Sequence, residues 1–272
     1  MKSIMLNQNE DTFIYFYIMI PSNFEEYKRE IINQVCIEHK NCKITFFEMG
    51  DNFKEYNIGG FGIWTTAMFY KIELQNILPN EKKILFLDCD TLIYKDLNQI
   101  YNVDIEDKYY TGMLEGEQMR RCGYNLTNTI NAGTLLINLE QLRKDNISQK
   151  IKDFLNENHL KVKYPDQDVI NAVCFRKNGY FHPKFVIPGF CNEDLIKCYV
   201  NSLFIKIKLR DVIKSYKDPY IYHLIIHYKP WYGIANINGV VCFDSITRFY
   251  EMARKTSYYY EILNHFKVII KK

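Results

Sequence analysis

No stretch of this sequence is apolar for long enough to cross a bilayer as a helix. The longest early run, Phe13 to Ile20, ends at Pro21, well short of the ~20 residues that a membrane helix needs, so it reads as a buried strand. The amino terminus also lacks a basic region followed by an apolar stretch and a small-residue cleavage site, which excludes an ordinary secretory signal and sets the expectation of a cytoplasmic protein. Charge of one sign is equally scarce. With 35 Lys and Arg against 32 Asp and Glu, the formal net charge is +3, too small and too dispersed to predict binding to nucleic acid or to a membrane surface.

The eight cysteines, Cys36, Cys42, Cys89, Cys122, Cys174, Cys191, Cys198 and Cys242, form no CxxC pair and no zinc-type spacing. Scattered through apolar segments, they read as buried free thiols, and a chain of this size needs no disulfide framework, which favours a reducing compartment. Internal repeats, low-complexity tracts and Gly/Ser-rich linkers are absent too, so residues 1–272 read as a single domain.

What is present is a core-forming composition, 47% hydrophobic and 25% charged, as in an ordinary soluble globular protein. Strand-length apolar runs recur as FIYFYIMI (Phe13 to Ile20), KITFFEM (Lys43 to Met49), KILFL (Lys83 to Leu87) and TLLINL (Thr134 to Leu139). Helical patterns separate them, and the alternation predicts an α/β sheet with helical crossovers. Between the first two runs, Ser22 or Asn23 is placed to cap a helix whose Phe24, Tyr27, Ile31, Ile32 and Val35 share one face. Ile63 to Ile77 reads as a helix stopped by Pro79, residues 140–160 as an amphipathic helical region broken near Asn146, and a further helix starts near Asp166. Tyr199 to Asp218 reads as irregular, as an active-site flap would be.

In LFLDCDTL, an apolar strand delivers Asp88 and Asp90 near the carboxyl end, where open α/β sheets place their ligands. Strand alternation would set both carboxylates on one side, with Cys89 on the other, so that they approach one hard divalent cation together. Two other readings stay open at this point. The aspartates can cap a turn, or Asp88 can be a phosphate-accepting nucleophile with Asp90 as acid/base, as in the DxDxT motif of haloacid-dehalogenase-like phosphotransferases. Leu92 stands where that motif has its threonine.

Three more segments carry chemistry. NAGTLLINL opens on Asn131-Ala132-Gly133, small residues that allow close backbone approach beside an amide able to bind a sugar hydroxyl, or simply a strand-entry turn. YPDQDVIN sets Asp166, Gln167 and Asp168 just after Pro165 at a helix start, where they can face a sugar ring or cap the helix. HLIIHYKPW holds His223, His227, Lys229 and Trp231, an imidazole ligand and a cation able to pair with diphosphate. Trp231 and Tyr232 are candidates for stacking on sugars, although at 15% aromatic content such residues are also ordinary core.

Taken in order, LFLDCDTL, NAGTLLINL, YPDQDVIN and HLIIHYKPW resemble the glycogenin and lipopolysaccharide-galactosyltransferase family of retaining glycosyltransferases, glycosyltransferase family 8, over nearly the whole chain. The resemblance implies a GT-A fold, a Rossmann-like α/β architecture with a mixed central sheet flanked by helices. It implies transfer of a hexose from a UDP-sugar, UDP-glucose or UDP-galactose, with Mn²⁺, or Mg²⁺ as the alternative. The acceptor would be a saccharide, a lipid-linked sugar or a protein, nucleic acid would be no partner, and a homodimer is compatible.

Carried over residue by residue, Asp88, Asp90 and His223 match the metal ligands. His223 is preferred to His227 for its spacing to KPW, and Lys229 matches the diphosphate-contacting lysine. Glu115, Asn131, Ala132 and Gly133 match the donor-sugar lining, with Gln167, Asp166 and Asp168 at the reaction centre. Lys71 in MFYKIEL stands where the family has an arginine, keeping the charge without the bidentate fork.

Two further departures concern the nucleotide. Ile226 replaces a glycine expected three residues after the metal histidine, and SIMLNQN at Ser3 to Asn9 resembles the helix that follows the family's first strand, so that strand is expected to be missing. A non-catalytic glycosyltransferase-like binding protein is therefore the alternative reading.

Overall fold

The computed structural model describes residues 1–50, 53, 56, 65–121, 124–189, 207–225, 229–232 and 243–267. Its described strands are β1 (Ile14–Ile20), β2 (Cys42–Glu48), β3 (Lys83–Leu87), β4 (Thr91–Ile93), β5 (Tyr110–Arg121), β6 (Tyr124–Asn138), β7 (Asn178–Tyr180), β8 (Val186–Pro188) and β9 (Ile221–His223). They fall into two units. The first comprises Met1–Gln8, Leu87–Leu97 and His182–Lys272, and the second Asn9–Phe86 and Asn98–Phe181.

In the second unit β1 pairs with β2 in parallel, Ile14 opposite Cys42 and Ile20 opposite Glu48. Parallel neighbours need a crossover, and the helix Glu26–Glu38 supplies it. That helix starts later than the capping pattern predicts: its N-cap is Glu25, without a side-chain cap bond, and neither Ser22 nor Asn23 serves. The main sheet of this unit runs in the order β3-β6-β5-β7, with β5 and β6 antiparallel and β7 parallel to β5. It is a mixed sheet, as the expected architecture requires.

β6 begins ten residues before the predicted Thr134, because cross-strand pairing with β5 recruits YNLTNT, which forms no apolar run and holds two Asn, poor strand formers, although its Tyr and Thr favour strands. The β5–β6 ladder is not regular. Gly112 pairs with Leu135 but Met113 pairs with Asn131, so Ala132, Gly133 and Thr134 bulge out without partners on β5. Gly112 is needed there: a Cβ would lie 2.9 Å from Leu135 Cδ2 and 3.0 Å from the Asn131 carbonyl.

Helices close the core of this unit. Leu139–Lys144 and Ile147–Asn158 are separated at Asn146, whose left-handed φ of 51° makes the break that the sequence predicts. Asn138 caps the first of them by accepting from the Gln141 amide at 3.0 Å. With Pro165–Cys174, they bury Leu142, Ile151, Leu155, Val169 and Ile170 against Leu135 and Ile137 of β6. The predicted helix ending at Ile77 is instead a 3₁₀ turn, Thr66–Glu73, running into a short α-helix, Leu74–Ile77. Residues 63 and 64 of that expectation lie outside the described chain.

In the first unit the order is β4-β9-β8, with Leu92, Ile187, Tyr222, Leu224 and Met252 as its core. The amino-terminal helix Lys2–Met5 is tied to β4 through Ser3 Oγ, which accepts from the Ile93 amide at 3.2 Å, and through Asn7 Nδ2, which donates to the Ile93 carbonyl at 3.0 Å. Where irregular chain is expected, Leu209–Lys217 is a helix that buries Val212 and Ser215; residues 190–206 lie outside the described chain. Cys42 and Cys174 are buried free thiols, as predicted, and Cys36 is half-buried, but Cys89 is exposed. Among the described residues no helix is long and apolar enough to cross a membrane.

Candidate active site

Asp88 and Asp90 do not sit on a strand. β3 ends at Leu87 and β4 starts at Thr91, so the triplet forms the turn between them. Thr91 Oγ1 holds that turn by donating to the Asp88 carbonyl at 2.9 Å. Strand alternation is therefore not what brings the carboxylates together. The pairing of β4 with β9, with Thr91 opposite His223, and a bond from the Leu224 amide to the Asp90 carbonyl at 2.8 Å bring a histidine from 133 residues away onto the turn.

His223 Nε2 lies 3.1 Å from Asp90 Oδ1 and 3.9 Å from Asp88 Oδ2, and one ligand atom from each of the three residues lies within 4.8 Å of the others. Two carboxylate oxygens and an imidazole nitrogen at that spacing can hold one divalent cation. This donor set fits a divalent metal ion. Lys229 Nζ lies 2.7 Å from Asp90 Oδ2. Burial pushes the Asp90 carboxyl up, but the hydrogen bonds and charges of His223 and Lys229 outweigh it and hold the group at about 2. Asp90 is thus ionised and ready to act as a ligand. Ile226 and His227 lie outside the described chain, and Trp231 packs edge-on against Phe249, 5.9 Å between ring centroids.

Gly189, after β8, supports the histidine. Its amide donates to the His223 carbonyl at 2.6 Å, and its carbonyl accepts from Tyr222 Oη at 3.0 Å and Ser245 Oγ at 2.7 Å. A Cβ at Gly189 would lie 3.0 Å from both the His223 carbonyl and Ser245 Oγ. Gly189→Ala is therefore expected to cost about 1–3 kcal/mol of stability, read as a lowered urea midpoint; an unchanged midpoint would show that the contact relaxes freely.

The second unit gathers the remaining predicted residues around the β6 bulge. Lys71 is buried and donates to the Ala132 carbonyl at 2.8 Å, pairs with the Asp166 carboxylate, and lies 4.4 Å from the centre of the Phe86 ring. Gln167 Oε1 accepts from Asn131 Nδ2 at 3.0 Å and from the Ala132 amide at 3.2 Å, while its Nε2 donates to Glu115 Oε2 at 2.6 Å. Asn131 Oδ1 accepts from the Gly133 amide at 3.0 Å. Backbone groups that the bulge withdraws from the ladder are thus bonded by side chains of the predicted site.

Asp168 plays a different part. Its Oδ2 accepts from the Lys163 and Tyr164 amides at 2.8 and 3.0 Å, fastening the loop to the start of the helix. Asn131-Ala132-Gly133 is a bulge within a strand, where a strand-entry turn is one of the two sequence readings. Sequence reasoning misses three residues, Gly112, Gly189 and Asn171. The only advance signal is the place of Asn171 in YPDQDVIN, one helical turn beyond Gln167.

Residues 1–235 match the family described as Glycosyl transferase family 8. The chain belongs to that family. This family 8 member is therefore a glycosyltransferase, and membership decides against the phosphotransferase reading of Asp88. Among its relatives, General stress protein A of Bacillus subtilis (strain 168) is 24% identical over 238 residues, covering 84% of this chain and 80% of the relative. Lipopolysaccharide 1,2-glucosyltransferase of Escherichia coli is 23% identical over 260 residues, covering 90% and 71%.

Solved structures agree on the fold. The galactosyltransferase LgtC in complex with donor and acceptor sugar analogues has a TM-score of 0.72 at 19% identity, over 94% of this chain and 90% of that one. The apo structure of the bifunctional glycosyltransferase WbbM has a TM-score of 0.70 at 14% identity, over 97% and 48%. The family 8 chain shares the GT-A fold of these neighbours.

Proposed function

We propose that this family 8 glycosyltransferase moves a hexose from UDP-glucose or UDP-galactose to an acceptor, retaining configuration at the anomeric carbon, with Mn²⁺ or Mg²⁺ held by Asp88, Asp90 and His223. The observation that carries the proposal is the convergence of these three ligands beside a lysine, Lys229, in one unit. When bound, a divalent cation neutralises the negative charge that grows on the departing diphosphate. Lys229 serves the same leaving group by exchanging its pairing with Asp90 for a phosphate oxygen.

The bond between the anomeric carbon and the phosphate oxygen breaks. The acceptor oxygen bonds to the same face, and its proton goes to the departing phosphate. Asn131, Ala132, Gly133 and Glu115 are assigned to the donor sugar and Gln167 and Asp166 to the developing positive charge at the anomeric carbon, with Asp168 and Lys71 holding them in place. A saccharide acceptor, free or lipid-linked, is favoured over a protein because one relative is named a lipopolysaccharide glucosyltransferase and a fold neighbour was solved with donor and acceptor sugar analogues. On this reading residues 1–272 act as one cytoplasmic glycosyltransferase domain.

The test is UDP release from UDP-glucose and UDP-galactose, with and without lipopolysaccharide-type sugars, in Mn²⁺, Mg²⁺ or chelator. Release that requires the metal and rises with acceptor supports the proposal. A folded protein that neither binds UDP nor releases it from either donor would sink it and revive the non-catalytic alternative.

A further inference from the structure

Asn171 is 1% exposed on the helix Pro165–Cys174, and its carboxamide is fully engaged. Oδ1 accepts from the Ile130 amide at 2.9 Å, and Nδ2 donates to the Ile130 carbonyl at 2.8 Å and to the Gln167 carbonyl at 2.8 Å. A carboxamide offers a donor and an acceptor side by side, much as a peptide group does, so this side chain bonds Ile130 as a neighbouring strand would. Ile130 is the last residue before Asn131, where the β6 bulge opens.

We infer that Asn171 is a positioning residue for sugar transfer: it clamps the β6 bulge bearing Asn131, Ala132 and Gly133 to the helix bearing Asp166 and Gln167. The inference rests on the function proposed above. Its physical ground is that the bulge lacks ladder partners on β5 at residues 132–134, so on that flank side chains hold it in place of a ladder, while β3 borders β6 on the other. Gln167 and Lys71 bond the Ala132 amide and carbonyl, and both can shift with the bulge because they lie on flexible stems. Asn171 has only two side-chain torsions, bonds both backbone groups of Ile130, and bonds its own helix at Gln167. It is the short, stiff link that sets the Asn131–Gln167 amide contact of 3.0 Å. Donor diphosphate is assigned to residues of the other unit, so loosening this clamp should slow transfer without weakening nucleotide binding.

Asn171→Ser removes the clamp. Asn171→Asp keeps the acceptor for the Ile130 amide but sets a carboxylate against the Ile130 and Gln167 carbonyls. Gln75→Ala, which truncates another buried amide of the same unit, 1% exposed, is the control. Hydrogen exchange is followed on peptides covering residues 129–136, and UDP-release kinetics and UDP affinity are measured in parallel.

In both Asn171 variants, exchange at the bulge is expected to rise at least about tenfold and kcat to fall about 10- to 100-fold, the scale of a misplacement of order 1 Å. UDP affinity should stay within about threefold of the starting protein, and Gln75→Ala should change none of these readouts. The inference is overturned if kcat is unchanged, if UDP affinity falls as far as kcat, if exchange rises evenly across the unit, or if neither variant folds. Should the unsubstituted protein release no UDP from either donor, the proposed function fails, and the exchange measurement decides the clamp by itself.

Discussion

Asp90→Asn is expected to lower metal-dependent UDP release by about 10³-fold while leaving the protein folded. The substitution keeps shape and hydrogen-bonding capacity, so the turn between β3 and β4, held by Thr91 and Leu224 through backbone carbonyls, has no reason to move. What disappears is a charge. Asp90 is the carboxylate that meets both His223, at 3.1 Å, and Lys229, at 2.7 Å, and it is ionised because those groups outweigh the effect of its burial. With an amide there, two ligands of full strength remain, and the metal requirement should move to much higher Mn²⁺. Loss of one preorganised electrostatic group typically costs 10²–10³ in rate, and loss of a metal ligand adds weaker occupancy. The measurement is initial-rate UDP release across a Mn²⁺ titration, beside a melting curve. Starting-protein rates at low Mn²⁺ would show that the turn is not a metal site.

The second large effect concerns stability. Lys71→Met should cost about 3–5 kcal/mol, because Lys71 and Asp166 are an ion pair whose side chains are 3% and 2% exposed, and removing one partner strands a charge away from water. The Ala132 carbonyl loses its 2.8 Å donor in the same step, which weighs in the same direction. Asp166→Asn should be destabilising for the mirror-image reason. The double variant Lys71→Met/Asp166→Asn should recover much of the loss, since no unpaired charge is left, although the pair itself adds little over a well-packed apolar substitute. Urea unfolding of the single and double variants measures this as a double-mutant cycle. Additive losses would show that the two side chains are not coupled.

Both predictions involve residues whose type is legible in the sequence and whose setting is not. Residue type and order mark Asp88, Asp90, His223 and Lys229 as metal and phosphate chemistry. Strand alternation would place the two carboxylates on a common face, but the structure has a turn there. Local periodicity cannot distinguish the last residue of a strand from the first of a turn, because the apolar run simply ends at Leu87 in either case. From sequence, Lys71 offers its charge toward the donor, whereas its ammonium is bonded to Asp166 and the Ala132 carbonyl. Those protein partners come from packing between distant segments and cannot be read from the residue type.

The sheet shows the same division. β1 and β3 are readable because their apolar runs state a strand locally, although only Phe16 and Ile20 of β1 are buried and β3 is half-buried, and the break at Asn146 because Asn tolerates a left-handed φ. The first ten residues of β6 are not, since they form no apolar run and it is pairing with β5 that makes them a strand. The β5–β6 bulge is also hidden. It is a shift in register between two strands, and no single strand records the register of its partner. Asn171 escapes a reading along the chain for a related reason. An amide has no chemistry of its own until its partner is known, and its partner is the backbone of a residue 41 positions away.

By itself, then, the sequence determined the α/β class, the family resemblance and the kinds of side chain available for metal, phosphate and sugar. Residue type and apolar period are local properties and can be read along one chain. Which of those side chains converge was decided by tertiary structure alone: the β4–β9 register that sets His223 beside Asp90, and the β6 bulge that gathers Lys71, Asn131 and Gln167. Strand register and burial arise from contacts between distant segments, and those exist only once the chain has folded.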